Sequence, residues 1–299
     1  MSELNDSITN YGTIHLKDEY HSIKPVGIVG IGVVGTAMFK SFRLCGINCI
    51  YYDKYAAPFL NVYMSSLSSM CEQCSIIFLA LPSPLTEHSQ DADIYNLSSI
   101  HETFRFLEDH SYDGLVVLKS TLLPRTTFDL SLRYPSIHLI HNPEFLSAKT
   151  ALQDFHNQTH TLIGLTNTCT EDDINMITNF YSSFYPEMDL YFHTSTETEC
   201  IKLFCNSFYA TKIQFMNELY AYTMKRDMNF DRIRDGMLRQ GWIHPMHTNV
   251  PGHDGEISFG GACLPKDTEA LYRDMERLGL PHQVIRAVCC ERDDMRKAE

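Results

Sequence analysis

Apolar residues along the chain fall into short runs that alternate with stretches of helical periodicity. Val26-Gly27-Ile28-Val29, inside Lys24–Ile31, is apolar without alternation, the pattern of a strand buried on both faces. Thr36–Leu44 has helical spacing and is closed by Gly46, a common stop. Ile47–Tyr52 is a second strand, and further short apolar runs follow at Ser75–Leu81, Gly114–Leu118, Ser136–Ile140, His160–Leu165 and Met188–Phe192. This alternation predicts an α/β fold with a largely parallel sheet. Ligands of such sheets bind beyond the carboxyl ends of the strands, here at Pro82-Ser83-Pro84, Lys119-Ser120-Thr121 and Asn142-Pro143-Glu144. From Thr194 the pattern turns helical. Thr196 and Glu199 fit a capping box, and Ile201, Phe204, Phe208, Phe215, Met216 and Leu219 recur at helical spacing. Lys202 and Asn206, four apart, share one face of that helix. Arg232–Phe259 is rich in Gly and Pro and reads as loop. A helix capped by Asp267 or Thr268 follows, then another over Gln283–Ala298.

Composition narrows the class. A chain of 299 residues holds two modest domains, and 44% hydrophobic content suits an ordinary globular protein. A net charge of −13 argues against nucleic acid as a partner, which would call for a basic patch. No apolar run approaches the ~20 residues of a membrane span. Residues 1–24 are polar and lack the apolar stretch of a signal peptide. The expected setting is cytoplasmic, without a membrane partner, and the ten scattered cysteines are expected to be reduced there. Cys71 and Cys74 form a C-x-x-C with no second pair at zinc spacing. The pairs His138/His141 and His244/His247 lack an obvious third ligand, so no metal is expected.

Two motifs carry chemistry. Gly30-Ile31-Gly32-Val33-Val34-Gly35 is a G-x-G-x-x-G that leaves a strand and opens a helix, and the next strand ends on Asp53. That is the dinucleotide fingerprint: glycines for a tight turn and close approach, pyrophosphate on a helix N-terminus, an acid on the ribose. Asp53 would repel a 2′-phosphate, so NAD is expected over NADP. The second motif is Ser258-Phe259-Gly260-Gly261-Ala262-Cys263-Leu264-Pro265-Lys266-Asp267-Thr268. Adjacent glycines allow close backbone approach, and Lys266 is placed to lower the Cys263 thiol pKa and so make the nucleophilic thiolate.

Together with Leu79–Pro84, Lys119–Thr121, Asn142-Pro143-Glu144-Phe145-Leu146, Glu199–Lys202, Asn206, Ala210–Ile213 and Asn217-Glu218, these stretches resemble the UDP-glucose/GDP-mannose (nucleotide-sugar) 6-dehydrogenase family from about residue 25 onward. The resemblance implies a Rossmann-type, mostly parallel sheet over 25–193 and an all-helical central domain over 194–299, behind a polar tail at 1–24. It implies NAD held by Gly30, Gly32, Val33, Val34, Gly35, Asp53, Pro82, Thr121 and Lys266. Glu144, Phe145, Leu146, Lys202, Asn206 and Gly260 would bind the nucleotide-sugar substrate. Cys263 would be the nucleophile of a two-step oxidation of a primary alcohol to a carboxylate, through thiohemiacetal and thioester. Lys202 and Asn206 would stabilise the oxyanion, Glu144 would manage protons, and Thr121 and Asp267 would position water. Such an activity feeds polysaccharide synthesis. The resemblance also implies a homodimer through the C-terminal helix and a third, nucleotide-binding domain that this chain is expected to lack. Ser147 and Ser258 depart from the family, which often has arginine and glycine there, and Val250–Gly255 departs from its common substrate loop. The competing expectations are a 3-hydroxyacid dehydrogenase, which would leave Cys263 unexplained, and a non-catalytic NAD-binding relative.

Overall fold

The structure, a computed structural model, describes residues 24–55, 64–87 and 93–297; the expected tail lies almost wholly outside them. The first half alternates β1 (Val26–Val29), α1 (Val33–Leu44), β2 (Cys49–Tyr52), α2 (Leu67–Gln73), β3 (Ile76–Leu79), α3 (Ser98–Asp109) and β4 (Leu115–Leu118). It continues with α4 (Thr126–Arg133), β5 (His138–His141), α5 (Ala151–His156), β6 (His160–Leu165), α6 (Glu171–Phe184) and β7 (Asp189–Thr194). The seven strands form one sheet in the order β2-β1-β3-β4-β5-β6-β7. All neighbouring pairs are parallel except β5 and β6, so the mostly parallel α/β class holds.

Alternate strand residues feed two cores, as the pleat requires. Ile76 and Phe78 of β3 point to one side, with Phe42 of α1, Phe155 of α5 and Phe180 of α6. Ile77 and Leu79 point to the other, with Met70 of α2, Phe104 of α3 and Leu130 of α4. Phe42 is the hub of the first core; its ring meets those of Phe78, Phe180 and Phe155 edge-on at 5.4, 5.4 and 5.9 Å.

After β7 the chain is helical: α7 (Ser195–Lys225), α8 (Phe230–Leu238), α9 (Leu264–Arg277) and α10 (Gln283–Lys297). Four local expectations are corrected. The capping box of α7 is Thr194 with Glu197, not Thr196 with Glu199. Glu199 instead is buried, and its Oε1 accepts the Thr127 N–H at 2.7 Å and hydroxyl at 2.6 Å, pinning α7 to the first turn of α4. The stretch Arg232–Phe259 is loop only after α8. Helix α9 starts at Leu264 behind Cys263, three residues before the expected cap, because Pro265 suits a first turn. Helix α1 likewise begins at Val33, with Gly32 as its cap, rather than at Thr36.

Burial raises the Glu199 carboxyl from 4.5 to about 7, against the opposing bonds from Thr127. Its folded-state value lies above the unfolded one. The stability it contributes is therefore complete below the unfolded value and is lost as pH rises through about 7. The wild-type melting temperature is expected to fall relative to that of Glu199→Gln between about pH 5 and pH 8 in paired calorimetric scans. Parallel curves for the two proteins would refute the assignment.

Candidate functional site

The glycine turn between β1 and α1 has one job per glycine. Gly30 takes φ +92°, and a Cβ there would stand 2.5 Å from the Ala80 carbonyl oxygen. A Cβ on Gly35 would stand 1.8 Å from the Gly30 oxygen, so the pair allows α1 to pack down on the sheet. A Cβ on Gly32 would meet nothing within 4 Å, which leaves space in front of the helix. Gly32 caps α1 without a side-chain bond, and the first turn holds no acid. Its N–H groups and dipole thus suit an anion such as a dinucleotide pyrophosphate. Asp53, just past β2, accepts the Ile31 N–H at 2.7 Å and the Tyr55 N–H at 2.8 Å, so the acid expected at the ribose braces the turn. Of the other expected cofactor residues, Val33 is exposed, Val34 packs against the α1 core, and Pro82 is exposed in the loop after β3.

The second cluster lies where α7 crosses the carboxyl end of the sheet. Lys202 and Asn206, both buried, point at acids: Lys202 Nζ is 3.3 Å from Glu144 Oε1, and Asn206 Nδ2 donates to Asp267 Oδ2 at 2.7 Å. Glu144 Oε2 also accepts the Leu146 N–H at 2.7 Å. Lys202 sits 5.0 Å from the centre of the Phe145 ring, which is exposed. Phe145 and Leu146 also line an open groove of about 410 Å³ with Gln153, Asp154 and His160, and this groove holds none of the charged cluster. Lys266, expected at the cofactor, donates to Asp267 Oδ1 at 2.5 Å. Thr121 lies at the tip of β4, its carbonyl accepting from Ser83 Oγ at 2.7 Å. No hydrogen bond joins its hydroxyl to the cluster among the described residues. A Cβ on Gly260 would stand 2.6 Å from the Arg296 guanidinium, so α10 lies against the cysteine loop there.

Cys263 is exposed and caps α9. The expectation of a lowered thiol pKa is overturned. Desolvation raises it, the carboxylates of Glu144 and Asp267 raise it further, and Lys202 and Lys266 only partly offset them. The physical reason is first the loss of solvent around the thiol and then the acids that engage each lysine.

Two residues of the region escape sequence reasoning. Lys119 is buried, its Nζ donating to Asn142 Oδ1 at 2.8 Å, and burial brings its pKa down to about 7. Asn142 also accepts from Tyr181 at 2.7 Å and donates to Thr161 and to the Leu162 carbonyl, which fixes the base of the turn that carries Glu144. The Lys119-Ser120-Thr121 loop was visible; the burial of its lysine was not. Tyr95, buried beside Asp267, lies in no motif and had no signal at all.

A parallel sheet with a dinucleotide turn, joined to a helical half that bears a cysteine loop, defines a nucleotide-dependent dehydrogenase architecture. The UDP-glucose/GDP-mannose dehydrogenase family matches it in two pieces, the NAD binding domain over residues 58–185 and the central domain over residues 196–290. The chain belongs to that family, and its cofactor is NAD. Residues 10–100 also match the NAD binding domain of D-isomer specific 2-hydroxyacid dehydrogenases. UDP-glucose 6-dehydrogenase YwqF of Bacillus subtilis is 32% identical over 209 residues, 67% of this chain and 44% of that protein. UDP-glucose 6-dehydrogenase of Campylobacter jejuni is 25% identical over 226 residues, 74% of this chain and 53% of that protein. The chain thus spans about half the length of the curated relatives it matches. Among solved structures, a UDP-glucose dehydrogenase from Pyrobaculum islandicum shares the fold, with TM-score 0.80 and 23% identity over 96% of this chain and 71% of that one. A 3-hydroxyisobutyrate dehydrogenase of Mycobacterium tuberculosis does so with TM-score 0.70 and 14% identity over 91% of this chain and 93% of that one.

Asp53→Asn removes charge but leaves an acceptor for the glycine turn. It is expected to narrow the preference for NAD over NADP, while Asp53→Ala should also weaken NAD itself. Fluorescence titration with both nucleotides reads this, and an unchanged preference in Asp53→Asn would remove Asp53 from cofactor selection.

Proposed function

We propose that this protein is an NAD-dependent nucleotide-sugar 6-dehydrogenase acting on UDP-glucose to give UDP-glucuronate. The observation that carries the proposal is the convergence of Cys263 with two buried pairs, Lys202–Glu144 and Asn206–Asp267. Gly30, Gly32, Gly35 and Asp53 would hold the cofactor, with Val33, Val34, Pro82, Thr121 and Lys266 near it. Bound NAD would supply a hydride acceptor, a fresh molecule being needed for each oxidation, one at the alcohol level and one at the aldehyde level. Between those oxidations the Cys263 sulfur adds to the aldehyde carbon, and its proton passes to the carbonyl oxygen, giving a thiohemiacetal. Lys202 and Asn206 donate to that oxygen while it carries negative charge. After the second oxidation the carbon is a thioester, and water attacks it, breaking the C–S bond and returning the thiol. Glu144, relieved of Lys202, takes the proton of that water, with Asp267 and Thr121 near its path. Phe145, Leu146 and Gly260 would wall the sugar.

The single-oxidation alternative draws support from the near full-length likeness to a 3-hydroxyisobutyrate dehydrogenase structure. Stoichiometry separates the two. UDP-glucose, GDP-mannose and their N-acetylated relatives are offered in turn while NADH absorbance is followed, and two NADH per sugar are expected. Cys263→Ala should abolish acid formation yet still reduce a supplied 6-aldehyde. Lys202→Ala and Asn206→Ala should each cost roughly 100- to 1000-fold in turnover, the usual loss for a preorganised donor. Acid formed by Cys263→Ala, or one NADH per sugar, would sink the proposal.

A homodimer belongs to it. Of the C-terminal helix positions, Val288 is buried against Ala210 and Phe259 while Val284 is exposed. On α7, Phe204, Phe208, Phe215 and Tyr222 are all exposed. At 100° per residue they fall within a narrow stripe, an apolar face that a second copy would cover. Light scattering should give a dimer for the wild type and a monomer for Phe208→Asp/Phe215→Asp; a wild-type monomer would end this part. A reducing, cytoplasmic setting belongs to the proposal, and in it the ten cysteines would stay free thiols. No helix among the described residues is long and apolar enough to cross a membrane.

A further inference from the structure

The loop between β3 and α3 sends one side chain into the cysteine cluster. A short antiparallel ladder holds its ends together: Thr86 N–H bonds the Ile94 carbonyl at 3.0 Å, Asn96 N–H bonds that of Pro84 at 2.8 Å, and Leu85 bridges Tyr95. Arg273 of α9 adds a bond to the Thr86 carbonyl at 2.9 Å. Tyr95 is thereby presented to α9 on braced backbone. Its ring packs with Ile94 and Ala270, Lys266 Nζ lies 4.3 Å from the ring centre, and its hydroxyl donates to Asp267 Oδ1 at 2.9 Å.

We propose that Tyr95 is a positioning residue of the cysteine site: its hydroxyl, acting through Asp267, holds Asn206 and Lys266 in place beside Cys263. Asp267 is wholly out of water, where a carboxylate stays ionised only with donors around it. Tyr95 and Lys266 occupy Oδ1, and Oδ2 is left to Asn206. Oδ2 therefore orients the Asn206 amide, with one Nδ2 hydrogen spent on Asp267 and the second left for a substrate oxygen. Without the phenol, Lys266 alone serves Oδ1, and the carboxylate is free to pivot. Burial, and then the Asp267 charge, keep the phenol pKa well above its ordinary value, so it stays a donor at neutral pH. The other charged groups bearing on Cys263 are Lys266 on α9, Lys202 from α7 and Glu144 from the β5–α5 loop.

The experiment has two arms, and only the turnover arm rests on the function proposed above. Tyr95→Phe keeps the ring and its packing and removes one hydrogen bond to a charged group, so kcat should fall about tenfold with KM for NAD unchanged. In the second arm the alkylation of Cys263 by iodoacetamide is followed against pH, with no substrate present. A carboxylate with one donor fewer presses harder on the thiol, so the midpoint should rise in Tyr95→Phe. Replacing Tyr95 by 3-fluorotyrosine, a stronger donor of the same shape, should lower it. In a double-mutant cycle with Asp267→Asn the midpoint shifts should be far from additive. Additive shifts, or a midpoint unmoved by both replacements, overturn the proposal. If no sugar nucleotide turns over in the wild type, the dehydrogenase proposal fails, and the alkylation cycle still decides on Tyr95.

Discussion

A carboxylate with no access to water must be surrounded by donors, and Asp267 meets that demand from three directions. Tyr95 arrives from the β3–α3 loop, Asn206 from α7, and Lys266 from the same turn of α9. The sheet half, the long helix and the cysteine helix are therefore tied at one buried atom group. Losing any donor leaves charge stranded in a dry interior, a penalty larger than the net worth of the bond itself. The same logic holds one helical turn away, where Lys202 and Glu144 neutralise each other with little surface left to either.

Desolvation, and after it the pairing of charges, sets the resting state of the thiol. Cys263 caps a helix, a location that favours negative charge on sulfur, and two lysines lie near it. Two carboxylates lie near it as well and outweigh them, because Lys202 and Lys266 are committed to those same acids. The resting site is thus balanced, with each cation matched to an anion and the sulfur held as a thiol.

The sheet was legible to within a residue or two at each strand end, most clearly for strands such as β1, β3 and β4 that are covered on both faces and read as unbroken apolar runs; His160–Leu165 begins and ends as its pattern does. The glycine turn was equally plain, since backbone contacts leave no room for a Cβ at Gly30 and Gly35. The α7 cap was misplaced by two residues because Thr194-Ser195-Thr196-Glu197-Thr198-Glu199 satisfies the box in two phases. Only tertiary packing chooses between them, by handing Glu199 to Thr127. Helix α8 was hidden by the glycines and prolines of the stretch around it, although Phe230, Ile233, Met237 and Leu238 recur at helical spacing. Lys202, Asn206 and Cys263 were found by type and spacing. Tyr95 was not, since its partner is 172 positions away along the chain.

The one antiparallel step in the sheet has a geometric consequence. Because β6 and β7 run against the other strands, the chain leaves β7 at the level of Leu165, which pairs with Ile140 inside β5, rather than at the carboxyl rim. Helix α7 must then climb alongside the rim to reach it. Thr198 touches His141, the last residue of β5, and four residues on Lys202 meets Glu144, three residues past the strand. Four helical residues rise about 6 Å and return to nearly the same azimuth. The helix works as a toothed rack against the β5 loop, one tooth per turn. A single residue inserted between Thr198 and Lys202 would turn every later tooth by about 100° while leaving the helix itself intact. Lys202 and Asn206 owe their aim to the phase of α7, which is counted from its cap at Thr194.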